Sequence, residues 1–282
     1  VPEVVVAGAV RTPIGRFGGG LSALTAADLG AAAAREALRR SGVAPERVDE
    51  TVFGCARQAG AGPNVARQVA WRAGVPQEVP AYTVNMACGS GLKAIDLAFR
   101  SIRDGDHGVV LAGGTESMSR VPYLLTGARW GYRMGTQSLV DAMYQDGFLC
   151  PLSDRVMGET AERLAAMYAI SRDEQDAFAL RSQQRATRAA REGRAAAETF
   201  PVAVPGKREA TQVVEDEHPR PETTLQSLAR LPPVFNREEG SVTAGNSSGI
   251  TDGAAAIVLL SGERARDLGV KPMARLLGVA SA

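Results

Sequence analysis

Val84-Asn85-Met86-Ala87-Cys88-Gly89-Ser90-Gly91-Leu92-Lys93-Ala94-Ile95 carries a short apolar run that stops at a cysteine, where a helical pattern begins at once. Leu92, Ile95, Phe99 and Ile102 then recur at three- and four-residue spacing, with Lys93, Asp96, Arg100 and Arg103 between them, which is the period of an amphipathic helix. Cys88 therefore sits at a helix N-terminus, where unpaired backbone N–H groups and the positive end of the helix dipole favour a thiolate. Gly89 and Gly91 remove side chains where a bulky group would have to approach. Two other readings of the stretch stand beside a nucleophile. One is a buried structural cysteine, the usual fate of a free thiol. The other takes Gly89-Ser90-Gly91-Leu92-Lys93-Ala94 as a G-x-G-x-x-A dinucleotide fingerprint, with Glu116 as its ribose ligand and an NAD-dependent oxidoreductase as the consequence.

The chain has 282 residues, enough for one or two domains with a sizeable core. Its 45% hydrophobic and 22% charged content is that of an ordinary globular protein, and a formal net charge of +1 gives no support for a nucleic-acid or membrane-surface partner. Cys55, Cys88 and Cys150 are too few and too scattered for a disulfide framework or a zinc site, so no metal is expected and a reducing, cytoplasmic setting is. No apolar run approaches the ~20 residues of a membrane-spanning helix. His107 and His218 lie in polar turns and read as solvated loop residues.

Working outward, Val4-Val5-Val6-Ala7-Gly8-Ala9 reads as a buried strand, followed by a glycine-rich turn through Gly20. Thr25 and Asp28 form a capping box that opens an alanine-rich helix ending near Ser41-Gly42. Strands at 51–54, 81–84 and 107–114 alternate with helices through 65–71 and from Leu92 onward. Strands that are apolar throughout and alternate with helices indicate a mainly parallel sheet covered on both faces. From about 119 to 243 the pattern changes to polar turns with two helices, one through 160–168 and one opened by the Ser171/Glu174 capping box and stopped at Gly193. This segment reads as an insertion. Residues 254–260 resume the buried-strand pattern, and 274–279 form a last strand-like run.

Four separated stretches together resemble the thiolase family, the acetyl-CoA acetyltransferases and 3-ketoacyl-CoA thiolases. They are Arg11-Thr12-Pro13-Ile14-Gly15-Arg16-Phe17, Asn85 to Leu92, Gly113-Gly114-Thr115-Glu116-Ser117-Met118-Ser119, and the run from Val242-Thr243-Ala244-Gly245-Asn246-Ser247-Ser248-Gly249 to Ala255. The resemblance implies an α/β fold: a thiolase-like layered α-β-α core with an inserted loop domain and only the start of a second similar core. The implied boundaries are 1–118 for the N-terminal core, 119–243 for a CoA-binding loop domain, 244–270 for the end of the first core and 271–282 for the first strand of the second. It also implies an acyl-CoA C-acyltransferase that condenses two acetyl-CoA to acetoacetyl-CoA, or cleaves a 3-ketoacyl-CoA with CoA, through an acyl-enzyme on Cys88. A cysteine on a similar fold also serves ketoacyl and hydroxymethylglutaryl synthases; the segment 245–249 and the long insertion favour thiolase.

By the same resemblance Arg220 and Ser227 match positions near the adenosine-phosphate end of CoA, and Phe148, Met157, Phe235, Ala244 and Ser248 match the pantetheine and acyl tunnel. Coenzyme A thioesters are then substrates, no further cofactor is implied, and the chain is expected to form a homodimer or homotetramer. Val156 stands where many acetoacetyl-CoA thiolases have a histidine, which bears on acyl preference. The family's base histidine and acid/base cysteine would fall beyond Ala282, so these 282 residues are expected to carry one member of the catalytic set. A non-catalytic acyl-CoA-binding subunit is the alternative that follows.

Overall fold

Alanine-rich and capped segments fold as the pattern requires in the computed structural model, which describes residues 2–206 and 208–281. From the N-terminus run β1 (Val4–Arg11), β2 (Gly15–Arg16), α1 (Ala26–Ser41), β3 (Glu50–Gly54), α2 (Val65–Arg72), β4 (Ala81–Val84), α3 (Ser90–Asp104) and β5 (Val109–Ser117). Short strands β6 (Tyr123–Leu124), β7 (Val140–Asp141), β8 (Leu149–Cys150) and β9 (Arg155–Val156) precede α4 (Met157–Met167) and α5 (Arg172–Arg191). Then come β10 (Val202–Val204), β11 (Thr211–Val213), α6 (Leu225–Ala229), β12 (Thr251–Ser261), α7 (Gly262–Asp267) and β13 (Ala274–Leu276). The chain divides into two compact units. The first takes the chain up to Arg120, Glu198–Glu217 and the residues from Thr251 onward; the second takes Val121–Ala197 and His218–Ile250.

The first unit is built on a sheet of order β13-β1-β12-β5-β3-β4, with β2 beside β12. Neighbouring residues of its strands point to opposite faces, and both faces are covered. Phe53, Leu111 and Val258 pack under α1 and α2 with Leu29, Ala33, Val65 and Val69, while Val52, Val110 and Leu259 pack under α3 with Ala98, Phe99 and Ile102. The expectation of a mainly parallel sheet needs correction. β3 pairs in parallel with β4 and β5, but β12 runs antiparallel between β1 and β5, and β13 is antiparallel to β1. A strand buried on both faces reads as a continuous apolar run whichever way it points, so the pattern reports burial and not direction.

Two further details depart from the pattern. Leu92, the first residue of the expected apolar stripe, is 72% exposed; the buried face of α3 is Ala94, Ala98, Phe99 and Ile102. The β10–β11 hairpin and its flanks return from the insertion and are clamped by the first motif. Arg11 makes a two-pronged ion pair with Asp216 at 2.7 and 2.9 Å and a third bond to Glu198, and Asp216 also accepts the Ile14 N–H. Glu217 accepts the N–H groups of Arg16 and Gly20.

In the second unit α4 starts at Met157, before the expected 160, and α5 has the Ser171/Glu174 capping box. Apolar burial is sparse: Ala142, Met143, Leu228 and Val242 are its buried hydrophobic residues among those described. Among the described residues no helix is long and apolar enough to cross a membrane.

Candidate active site

β4 delivers the chain to a tight turn ahead of α3, and the turn is held by its own side chains. Ala87 has φ +47, a left-handed conformation that residues with a Cβ rarely adopt. The N–H of Gly89 donates to the Met86 carbonyl at 3.0 Å and that of Ser90 to the Ala87 carbonyl at 3.1 Å. Asn85 Oδ1 accepts the Ala87 N–H at 3.0 Å, an Asx turn, and its Nδ2 donates to the Ala56 carbonyl. Ser90 Oγ accepts the Met86 N–H at 2.9 Å and donates to the Ala87 carbonyl at 2.6 Å. Every amide from Met86 to Ser90 is thereby satisfied except that of Cys88, which meets no protein acceptor among the described residues. Cys88 itself is exposed.

The head of α3 rests directly on the sheet because β3 ends in glycine. A Cβ at Gly54 would come within 2.4 Å of the Ser90 carbonyl carbon and 2.6 Å of the Gly91 nitrogen, so any larger residue would lift the turn off the strand. Thr115 and Ser117 of the third motif donate to the Ala26 and Leu24 carbonyls. The buried Asp252 of the fourth motif accepts the N–H and the hydroxyl of Ser119, and Thr12 of the first accepts the Ala254 N–H. Three of the four motifs are thus interlocked around β12 as scaffold. The asparagine and serine that flank the turn were visible in the sequence, and Asn two residues before a turn amide is a recognisable signal; nothing there disclosed the double bond made by Ser90.

The rival readings of this region lose their residues. Glu116 is not open to a ribose: it accepts the N–H groups of Ala56 and Arg57 at 3.0 Å and lies 3.5 Å from the Cys55 thiol. Burial, followed by the Glu116 charge, pushes the Cys55 thiol up to about 12, so it stays protonated. Cys150 is half-buried, and a hydrogen bond from Ser153 draws its thiol below the ordinary range. Both histidines lie in loops as expected, but half-buried and engaged by neighbours. His107 Nδ1 is bonded to Ser101 Oγ at 2.6 Å and stands 3.7 Å from Glu50, and the ring of His218 lies against Gly249 with its Nε2 buried and unpartnered among the described residues. Among the described residues no cluster of three or more His, Cys, Asp or Glu could hold a metal ion.

The seven other sequence-derived candidates lie in the second unit. The β8–β9 hairpin pairs Leu149 with Val156, with Phe148 just before its first strand and Met157 just after its second, where α4 begins. The Phe235 ring fills the space that a Cβ at Gly158 would occupy. Ala244 and Ser248 are exposed on a loop fastened from below: Glu162 accepts the N–H of Ser241 and of Val242, and Asn246 bridges Asp176 and the Ser241 carbonyl. Ser227 is exposed on α6, where its hydroxyl is turned back to Thr224, and Arg220 is exposed with its N–H donated to Gln183. Of these residues Phe235 packs beside Gly158, the residue after Met157, Ala244 and Ser248 share one loop, and Arg220 precedes α6, which carries Ser227.

Comparison with known proteins agrees with this scaffold. The thiolase N-terminal domain matches residues 4–263. The acetyl-CoA acetyltransferase of Syntrophomonas wolfei is 48% identical over 281 residues, spanning 99% of this chain and 70% of its own length. A solved acetyl-CoA acetyltransferase structure from Syntrophomonas wolfei superposes with a TM-score of 0.96 at 42% identity, over 99% of this chain and 70% of that one. Human mitochondrial 3-ketoacyl-CoA thiolase superposes at 0.92 with 40% identity, over 97% and 69%. With residues 4–263 matched by the family's domain and relatives at 40–48% identity in sequence and structure, the chain belongs to the thiolase family.

Proposed function

We propose that this chain is an acyl-CoA C-acyltransferase whose nucleophile is Cys88. The observation that carries the reading is an exposed cysteine on a braced, left-handed turn at the head of α3, in a chain of this family. The Cys88 sulfur attacks the thioester carbonyl of acetyl-CoA; the tetrahedral adduct collapses, the C–S bond to CoA breaks, and the acetyl group remains on Cys88 while CoA leaves. The unpartnered Cys88 N–H is a donor for the oxyanion of that adduct, a contribution worth a few kcal/mol in comparable sites. In the second half-reaction a base takes a methyl proton from another acetyl-CoA, the carbanion attacks the Cys88 thioester, and the C–S bond to Cys88 breaks to give acetoacetyl-CoA and the Cys88 thiolate; run backwards, CoA cleaves a 3-ketoacyl-CoA.

Phe148 and the exposed Met157 and Phe235 suit the thin, largely apolar pantetheine and acyl chain, Ala244 and Ser248 line the same ligand, and Arg220 with Ser227 suits its phosphate end. On this reading the insertion expected over 119–243 is the CoA-binding part, less Glu198–Glu217, which pack with the first unit, and extended by the loop to Ile250; 1–118 and the chain from Thr251 form the first core, with β13 of the expected 271–282 segment paired to β1. CoA thioesters are the substrates with no further cofactor, and the enzyme is a cytoplasmic dimer or tetramer; the outer edge of β4, which pairs with no other strand among the described residues, supports association.

The test is the intact mass of the protein before and after incubation with acetyl-CoA, with peptide mapping of the adduct. One acetyl group on Cys88, lost in Cys88→Ala, is expected. Acetylation that persists in Cys88→Ala, or none in the wild type, overturns the assignment.

A further inference from the structure

We infer that Ser90 is the positioning residue of this site: its hydroxyl holds Ala87 in the left-handed conformation that presents Cys88, and so sets the rate of acyl transfer without touching the acyl group. The inference rests on the reading of Cys88 as nucleophile. Ser90 is suited to this role because it is buried where the rest of the turn is open to solvent. It is 4% exposed, it is the first residue of α3, and its backbone lies against Gly54 of β3. Asn85, Met86, Ala87 and Cys88 are all exposed.

From that fixed point the hydroxyl uses its lone pair and its proton at once. It accepts the N–H of Met86 at 2.9 Å and donates to the carbonyl of Ala87 at 2.6 Å, so it grips the chain on both sides of the Ala87 φ torsion. That torsion, at +47, is the one the turn would abandon first, since a residue with a Cβ prefers the opposite sign. Relaxing it would swing Cys88 and its unpartnered N–H together. Asn85 grips the turn on one side of that torsion only, through the Ala87 N–H, while its Nδ2 reaches the Ala56 carbonyl. A displacement of about 1 Å at a reacting atom costs on the order of a hundredfold in rate.

The experiment compares acetylation of Cys88 by acetyl-CoA, followed by quenched-flow mass spectrometry across substrate concentrations, in wild type, Ser90→Ala, Ser90→Thr and the double variant Ser90→Ala with Ala87→Gly. In Ser90→Ala the saturating rate is expected to fall roughly ten- to a hundredfold, with the half-saturating concentration within about twofold of wild type. Ser90→Thr, which keeps the hydroxyl, should recover most of the rate. So should the double variant, because glycine takes a positive φ without penalty, and it keeps the test open if Ser90→Ala alone does not fold. An unchanged rate in Ser90→Ala, a loss confined to half-saturation, or a double variant no faster than Ser90→Ala overturns the inference. Should wild type take up no acetyl group, the reading of Cys88 fails by itself, and amide exchange then decides the role of Ser90. Faster exchange of the Met86 and Ala87 amides in Ser90→Ala upholds the brace, and unchanged exchange refutes it.

Discussion

The two units are held together by different forces. In the first, apolar side chains pack on both faces of a sheet, with Phe53 and Leu111 on one side and Val52, Val110 and Leu259 on the other all fully buried. In the second, carboxylates gather donors. Glu162 takes the Ser241 N–H and hydroxyl and the Val242 N–H, and Asp176, 3% exposed, takes Arg172 Nε at 2.8 Å and Asn246 Nδ2 at 3.0 Å. The difference teaches how a chain can hold loops firmly while leaving their outer surfaces open. A loop tied from beneath by point contacts keeps Ala244 and Ser248 exposed for a ligand, whereas a loop held by apolar packing would have to bury them.

The largest test of this contrast falls on the first unit. Phe53→Ala empties a site enclosed by α1, α2 and the sheet, and should cost about 3–5 kcal/mol, read as a lower midpoint in denaturant unfolding. A loss below ~1 kcal/mol would mean that packing around Phe53 does not hold this unit. The next falls on the second unit. Glu162→Ala leaves two backbone N–H groups and a hydroxyl without their charged acceptor, a loss of about 1.5–3 kcal/mol. Amide exchange should show it as faster exchange at Ser241 and Val242 while β5 stays protected. Equal loss of protection in β5 would erase the distinction between the two modes of construction.

The same distinction explains what could be read from the sequence. Apolar periods and caps are local, so β4, the Thr25 and Ser171 capping boxes and the cysteine at the head of α3 were all legible. Hydrogen bonds between distant residues leave no period. Nothing in the pattern showed that Asp216 would fasten to Arg11, that Glu162 would collect the loop at 241–242, or that Ser90 would brace Ala87. The direction of β12 was hidden for a related reason, because a strand buried on both faces carries no sign of its orientation. Phe148, Met157 and Phe235 were reached through resemblance, and no period in the sequence marks the packing of the Phe235 ring against Gly158.

The smallest effect compares two cysteines of the first unit that the chain treats in opposite ways. Cys88 is exposed, whereas Cys55 is 1% exposed in the apolar core and its thiol is pushed from an ordinary 9.0 up to about 12, by burial first and the Glu116 charge second. Between those values the folded protein keeps the Cys55 proton and the unfolded chain releases it. The unfolded state then binds fewer protons, so stability falls as pH rises. The contribution is fully present below pH 9 and is lost as pH climbs from about 9 to about 12, at no more than about 1.4 kcal/mol per pH unit. Denaturant unfolding from about pH 8.5 to 10.5 should therefore show wild type losing stability faster than Cys55→Ala, by up to roughly 1 kcal/mol per unit, because alanine has no proton to release. Parallel slopes would mean that Cys55 ionises as easily in the fold as out of it. In that case burial alone, and not a retained proton, would spare Cys55 from alkylation near pH 8 and leave Cys88 the chemically available thiol of this unit.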